Sequence, residues 1–268
     1  MIIAICVAAV LLLLYILCLR GRKGNPELYG LRQWSYAHRG LHGEGRPENS
    51  LAAFRAAVDK GYGIELDVRL SADGTPVIMH DATLERTAGV KVAVADLTDQ
   101  ELLQYRLEGT EEHIPTFREV LNLVNGRVPL IVELKTAGKN AHKISAAVCQ
   151  LLDTYDGDFC IESFDPLCVL WFKQIRPEIV RGQLAANVMK SKHLRSWLGK
   201  VILTYSLGLF LTKPDFIAYE FSGRKNLSNF LIRKLWGVQG VSWTLQNQKE
   251  YDKAVKEGWI PIFENFLP

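Results

Sequence analysis

Apolar positions along the chain fall into three kinds of pattern. The first is one unbroken run, residues 2–19 (IIAICVAAVLLLLYILCL), with no charge inside it and Arg20, Arg22 and Lys23 just after it. The second is a series of short β-rich runs at 34–39, 63–70, 76–80, 128–135, 159–164, 180–185, 216–219, 240–245 and 261–263. Between them, apolar residues recur at helical spacing over 50–60, 99–107, 117–124, 141–154, 167–175, 227–236 and 249–257. In the first of these helices Leu51, Phe54, Ala57 and Val58 form one stripe, and Asn49 is placed to cap it.

Strand and helix alternate from residue 34 to the end, which predicts parallel strands in a single domain. An α/β fold, a (β/α)8 TIM barrel preceded by an N-terminal transmembrane helix, fits the length and the number of units. A doubly wound open sheet usually carries a Gly-rich phosphate loop after its first strand, and HRGLHGEGRPEN is not one. The run 2–19 reaches the roughly 18 apolar residues that a bilayer span requires. A cleaved signal has basic residues ahead of its apolar core and a small-residue cleavage site behind it, and both are missing here. The expected organisation is a membrane anchor with basic flank over 1–23, a linker over 24–33 and the barrel over 34–268. Cations directly after the span place that barrel on the cytoplasmic side.

Composition changes this picture little. The 268 residues are 48% hydrophobic, enough for a sizeable core, and the formal charge is 32 − 29 = +3. So mild a charge, with no basic stripe interleaved with aromatics, does not suggest nucleic acid, and no protein partner is implied. Cys6 and Cys18 fall in the apolar run. Cys149, Cys160 and Cys168 show neither metal spacing nor a disulfide framework and read as free buried thiols.

The chemistry gathers at strand ends, where barrels carry their reactive groups. His38 and Arg39 end the first β run, His80 and Asp81 the third, and Glu133 and Lys135 the fourth. Glu65 and Asp67 lie two apart and so share one face of a strand. Each of these has an ordinary explanation alone, as a solvent face, a satisfied histidine or a structural ion pair. Aimed together into one rim, they would repel or lose hydration unless a cation, a substrate anion or each other compensated them. Glu65, Asp67 and Glu133 make an oxygen-rich set suited to one divalent cation, Mg²⁺ or Ca²⁺, better than to zinc. A second uncharged stretch, Val201–Leu211, is too short to span a membrane and reads equally as a buried barrel helix or as an interfacial lid against lipid.

With these residues in place, the chain resembles the glycerophosphodiester phosphodiesterase family. The resemblance is carried by AHRG (37–40), PENSLAAF (47–54), GIELDVRLSADGTPVIMHD (63–81), LERTAG (84–89), IPTFREVL (114–121) and VELK (132–135), with weaker echoes in SFDP (163–166) and VSWTLQN (241–247). It implies a (β/α)8 barrel that uses one divalent cation to release an alcohol from a glycerophosphodiester and leave glycerol 3-phosphate. By position it implies Glu65, Asp67 and Glu133 as metal ligands, His38 and His80 as the acid–base pair, and Arg39 and Lys135 on the phosphate. Glu48, in PEN, and Trp243, in VSWTLQN, are expected to orient neighbours or touch substrate. The family's usual two-step route, in which the substrate's own hydroxyl forms a cyclic phosphate, comes with the resemblance. One departure is the C-terminal PIFENFLP, where the family usually has TD or TN, so Glu264 or Asn265 fills that place.

Histidine suits both proton transfers because its ordinary pKa, about 6.5, lies near the working pH. The apolar run and Val201–Leu211 add two expectations: contact with membrane lipid, and lysophospholipase-D-like cleavage of acylated lysophospholipids as the alternative activity. A phospholipase-C-like barrel fits Glu-x-Asp, Glu-x-Lys, PEN and MHD less well. A membrane-tethered non-enzymatic scaffold has no physical reason to retain two histidines and three acids.

Overall fold

A computed structural model of the protein describes residues 1–190 and 196–268. Its nine strands are β1 (Tyr36–His38), β2 (Gly63–Leu70), β3 (Pro76–Ile78), β4 (Leu130–Leu134), β5 (Phe159–Ser163), β6 (Arg181–Ala185), β7 (Phe216–Glu220), β8 (Gln239–Leu245) and β9 (Trp259–Phe263). All but β3 are parallel, in the order β1-β2-β4-β5-β6-β7-β8-β9, and β9 pairs back onto β1 to close the barrel. The eight-stranded barrel is therefore present with one correction. The run 76–80 is not a barrel strand but folds back antiparallel on β2, Ile78 opposite Val68. His80 reaches the rim from above, on the returning arm of a hairpin.

Register decides what faces inward. Asp67 is level with Glu133, Glu133 with Glu162, and His38 with Glu65. Below them Tyr36, Ile131, Cys160, Val180, Phe216, Val241, Ile260 and Ile262 fill the barrel interior. Side chains alternate in direction along a strand, so two residues beyond Tyr36, Ile131, Cys160, Val241 and Ile262 come His38, Glu133, Glu162, Trp243 and Glu264 on the same side. The second core lies between the sheet and the surrounding helices, where Phe54, Val120, Ile144, Phe172 and Ile232 are fully buried. The helices start as their sequences dictate. Thr116 and Glu119 form a capping box on Phe117–Val124, and Ser50 accepts from Ala53 N to cap Leu51–Asp59. Asn49, expected as that cap, is one residue too early and serves the site instead. Helix 99–107 shrinks to the single turn Asp99–Leu102, inside an excursion with its own small core of Val77, Leu84, Val94, Leu102 and Ile114.

Residues 24–33, expected as a linker, close the barrel floor. A short helix, Leu28–Leu31, buries both leucines against the interior cluster, and the Tyr36 hydroxyl donates to Leu31 O at 3.0 Å. The expected membrane span is not found: among the described residues no helix is long and apolar enough to cross a membrane. The N-terminal helix, Ile2–Cys18, has 17 residues, about 25 Å at 1.5 Å per residue, against a hydrocarbon core of about 30 Å. The apolar run is partly spent on docking. Tyr15 bonds Ser228 through their hydroxyls at 2.8 Å, Trp236 Nε1 donates to Ile16 O at 3.0 Å, and Leu19 is fully buried. Its basic flank is engaged too, Arg20 over the Trp236 ring and Arg22 3.2 Å from Asp215. Sidedness argued from those cations loses its basis.

Val201–Leu211 is neither wholly buried nor a single helix. It divides between Trp197–Tyr205 and Leu209–Thr212, broken at Ser206, whose φ is +55°. Leu209 is buried, while Trp197, Leu198, Ile202, Phe210 and Leu211 are exposed. Cys149, Cys160 and Cys168 are free and buried, as expected.

Candidate active site

The turn after β1 shows why the chain reads His-Arg-Gly. His38 is the last residue of the strand. Arg39 then adopts a left-handed conformation, φ +55°, which turns its backbone N–H onto Glu65 Oε2 at 3.1 Å. Gly40 follows at φ +79°, where an added Cβ would sit 2.9 Å from the Ala53 carbonyl carbon. Only glycine accepts both conditions without strain. Through this turn one residue contacts three carboxylates, since besides the N–H on Glu65 the Arg39 guanidinium lies 2.8 Å from Glu48 and 3.3 Å from Asp67.

Pro-Glu-Asn works from the opposite side. Asn49, also left-handed, donates from Nδ2 to Asp67 Oδ2 at 2.8 Å. Glu48 joins Arg39 to Arg86, which contacts it through both terminal nitrogens at 2.8 and 2.6 Å and reaches Asp81 through Nε at 2.7 Å. Burial pushes the Glu48 carboxyl up, but Arg86 and Arg39 outweigh it and hold it below the usual range. Glu48 thus bridges the guanidinium groups of Arg39 and Arg86.

Glu65, Asp67 and Glu133 converge. One oxygen from each lies within 4.8 Å of the other two, and all three residues are buried. Lys135 Nζ sits between two of them, 2.8 Å from Glu133 Oε1 and 3.1 Å from Asp67 Oδ1. These are close ion pairs without hydrogen-bond alignment, because neither oxygen accepts a directed bond. Burial drives Asp67 up, yet Lys135, His80 and Arg39, with the Asn49 hydrogen bond, hold it far below the usual carboxylate range. Burial pushes Glu133 up to about 7 against the pull of Lys135. Glu65 is raised well above its ordinary value, by burial first and then by the charges of Asp67 and Glu133. Three carboxyl groups face two cations; burial holds two of them toward the neutral form, and oxygens of Asp67 and Glu133 keep lone pairs without directed partners among the described residues. A hard divalent cation fits that donor set.

The histidines flank this cluster. His38 Nε2 lies 3.9 Å from Glu65 Oε2, and its Nδ1 is 3.5 Å from Glu264 Oε1. His80 Nδ1 is 2.6 Å from Asp81 Oδ1. Burial lowers both imidazole pKa values; a hydrogen bond to Glu264 opposes it for His38, and the charge of Asp67 for His80. His38, Arg39, Glu65, His80, Glu133, Lys135 and Trp243 all line one cavity of about 160 Å³, and Asp67 pairs with two of them, Arg39 and Lys135. Trp243 meets Phe164 edge to face, and its buried Nε1–H has no partner among the described residues.

Sequence reasoning missed one acid and gave another no role beside a histidine. Glu162 is buried on β5, level with Glu133, and burial followed by the Glu133 charge raises its pKa well above normal. The signal was available in CIES, an acid inside an apolar run, as at Glu65. Glu264 was noticed only as a departure at the chain's end, and His42, which binds it at 3.0 Å, was passed over.

Comparison with known proteins agrees with this geometry. Residues 38–267 match the Glycerophosphoryl diester phosphodiesterase family. Curated relatives include human Glycerophosphodiester phosphodiesterase 1, 37% identical with 80% of this chain and 73% of that protein covered. A Glycerophosphodiester phosphodiesterase of Caldanaerobacter subterraneus is 27% identical, covering 83% and 89%. Rat Lysophospholipase D GDPD1 is 28% identical, covering 86% and 82%. Among solved structures, an Oleispira antarctica phosphodiesterase in complex with the product sn-glycerol-3-phosphate superposes with a TM-score of 0.74 at 25% identity, covering 88% of this chain and 94% of that one.

Proposed function

The chain belongs to the glycerophosphoryl diester phosphodiesterase family and is a phosphoric diester hydrolase, and from that premise we propose a cation-dependent reaction carried by the residues around the 160 Å³ cavity. Glycerophosphodiesters are split there into an alcohol and glycerol 3-phosphate. Glu65, Asp67 and Glu133 hold one Mg²⁺ or Ca²⁺, which when bound draws charge from the phosphoryl oxygens. Arg39 and Lys135 bind the same phosphate and neutralise it. His38 Nε2 takes the proton of the attacking hydroxyl, the P–O bond to the alcohol breaks, and His80 returns a proton to the departing oxygen. In the two-step route the attacking hydroxyl is the substrate's own. Water then opens the cyclic phosphate with the histidines exchanging roles. A substrate lacking that hydroxyl is inert on this route, and its normal turnover rejects it.

The observation that supports this reading most is the convergence of three buried carboxylates, two cations and two histidines on one cavity at one end of the barrel. A panel of glycerophosphodiesters assayed with and without chelator, following the released alcohol, tests it. Chelator-resistant turnover overturns the cation's role, and no turnover of any diester overturns the reaction.

A second substrate class, acylated lysophospholipids, has one structural observation in its favour. The stretch after β6 exposes Trp197, Leu198, Ile202, Phe210 and Leu211, and the N-terminal helix exposes Ile3, Val10, Leu11 and Leu14. Such apolar surface suits a lipid interface, and a lysophospholipase D is among the relatives. Liposome binding unaffected by serine at Leu198 and Phe210 overturns the lipid contact.

A further inference from the structure

Each imidazole of the site is held at Nδ1 by a carboxylate, but the two carboxylates differ. Asp81, behind His80, is itself paired with Arg86. Glu264, behind His38, has only histidines as ion-pair partners among the described residues. Its position is well fixed. Glu264 follows the last residue of β9, its N–H donates to Leu245 O at 2.9 Å, and Gln246 Nε2 donates to its Oε2 at 2.9 Å. Gln246 is held in turn by Asn265 Nδ2 at 2.8 Å. His42 Nε2, 3.0 Å away, and His38 Nδ1, 3.5 Å away, converge on the other oxygen. His38 Nδ1 is buried and has no other partner among the described residues.

We infer that Glu264 is the positioning residue for His38. A lone pair at Nδ1 would face the carboxylate and be repelled, so Nδ1 carries the hydrogen and Nε2 presents its lone pair to the cavity. The proton of the attacking hydroxyl then passes to Nε2, and Glu264 remains ionised beside the imidazolium and stabilises it. His80 stands on a carboxylate already neutralised by Arg86 and lacks this support. The arrangement thereby assigns proton acceptance in the first step to His38 and proton donation to His80. This rests on the reading of His38 and His80 as the acid–base pair.

Glu264→Ala, Glu264→Gln and Glu264→Asp are compared with wild type on a glycerophosphoalcohol and on a glycerophospho-p-nitrophenyl ester, whose phenolate departs without needing a proton. Glu264→Ala and Glu264→Gln are expected to lose about 10²-fold in kcat, within the range of general-base contributions, with KM and cation affinity nearly unchanged. Glu264→Asp keeps the charge and retains activity within about tenfold. The loss for Glu264→Gln persists on the p-nitrophenyl ester, whereas the defect of His80→Ala shrinks on it. If Glu264→Ala does not fold, the Gln/Asp contrast carries the test. Equal activity of Glu264→Gln and wild type, or a defect that vanishes with the p-nitrophenolate leaving group, overturns the inference while leaving the diesterase reading intact. A wild-type protein inert on both esters overturns that reading instead.

Discussion

If Glu65, Asp67 and Glu133 hold a divalent cation as proposed, its binding should release protons, and the raised Glu133 gives the scale of the effect. Without the ion, Glu133 is pushed up to about 7 and Glu65 well above its ordinary value. The sign follows from the raised folded pKa. The ion-free Glu133 contributes to folding below its unfolded value, about 4.5, and that contribution is lost as pH rises through about 7. A bound cation requires the ionised form, so its affinity gains on alkalinisation. From Glu133 alone, the Kd at pH 6 is about tenfold weaker than at pH 8. A cation at one hundred times its Kd stabilises by about 2.7 kcal/mol. With about 2.1 cal/mol/K of unfolding entropy per residue, that is a rise in Tm of about 5 °C for a chain of this length. At pH 6 and the same cation concentration the gain falls to about 1.4 kcal/mol and about 2.5 °C, and the raised Glu65 reduces it further. Thermal unfolding with Ca²⁺ or Mg²⁺ and with chelator, at both pH values, measures this directly. A cation-induced shift as large at pH 6 as at pH 8, or none at either, refutes the argument.

Lys135→Met leaves Asp67 and Glu133 facing each other without their shared ammonium, and removing one partner of a buried ion pair costs about 3–5 kcal/mol. Urea unfolding of the ion-free protein should show that loss, with activity down at least about 10²-fold even when the cation is restored. Gly40→Ala places a Cβ 2.9 Å from backbone at φ +79° and should cost about 1–3 kcal/mol in the same assay; a neutral result would mean that the turn is not strained. Glu162→Gln removes a carboxyl whose folded pKa is raised, so its Tm relative to wild type should climb from pH 5 to pH 9, and a falling difference contradicts the assignment.

The parts of the fold written in short-range patterns were legible. Strand 63–70 and helix 117–124 coincide with their sequence boundaries, because alternation and capping act within a few residues. What depended on partners distant in sequence was not. The run 76–80 has the apolar character of a barrel strand, and only its pairing with Val68 shows that it folds back. Residues 2–19 have the composition of a span, but Ser228 and Trp236, more than 200 positions away, claim the end of it for docking. The three converging acids, Glu65, Asp67 and Glu133, were visible because two fall on one strand face and the third on another strand end. Glu264 was not assignable to a role, since only the closure of β9 against β1 brings it to His38.

The plug formed by Leu28, Leu31 and Tyr36 has a bearing on how turnover is controlled. With the base of the barrel stoppered, the proposed reaction would exchange its reactant and products through the opposite rim. Anything that settles over that doorway slows arrival and departure alike, so traffic, more than bond-breaking, becomes the step open to control from outside.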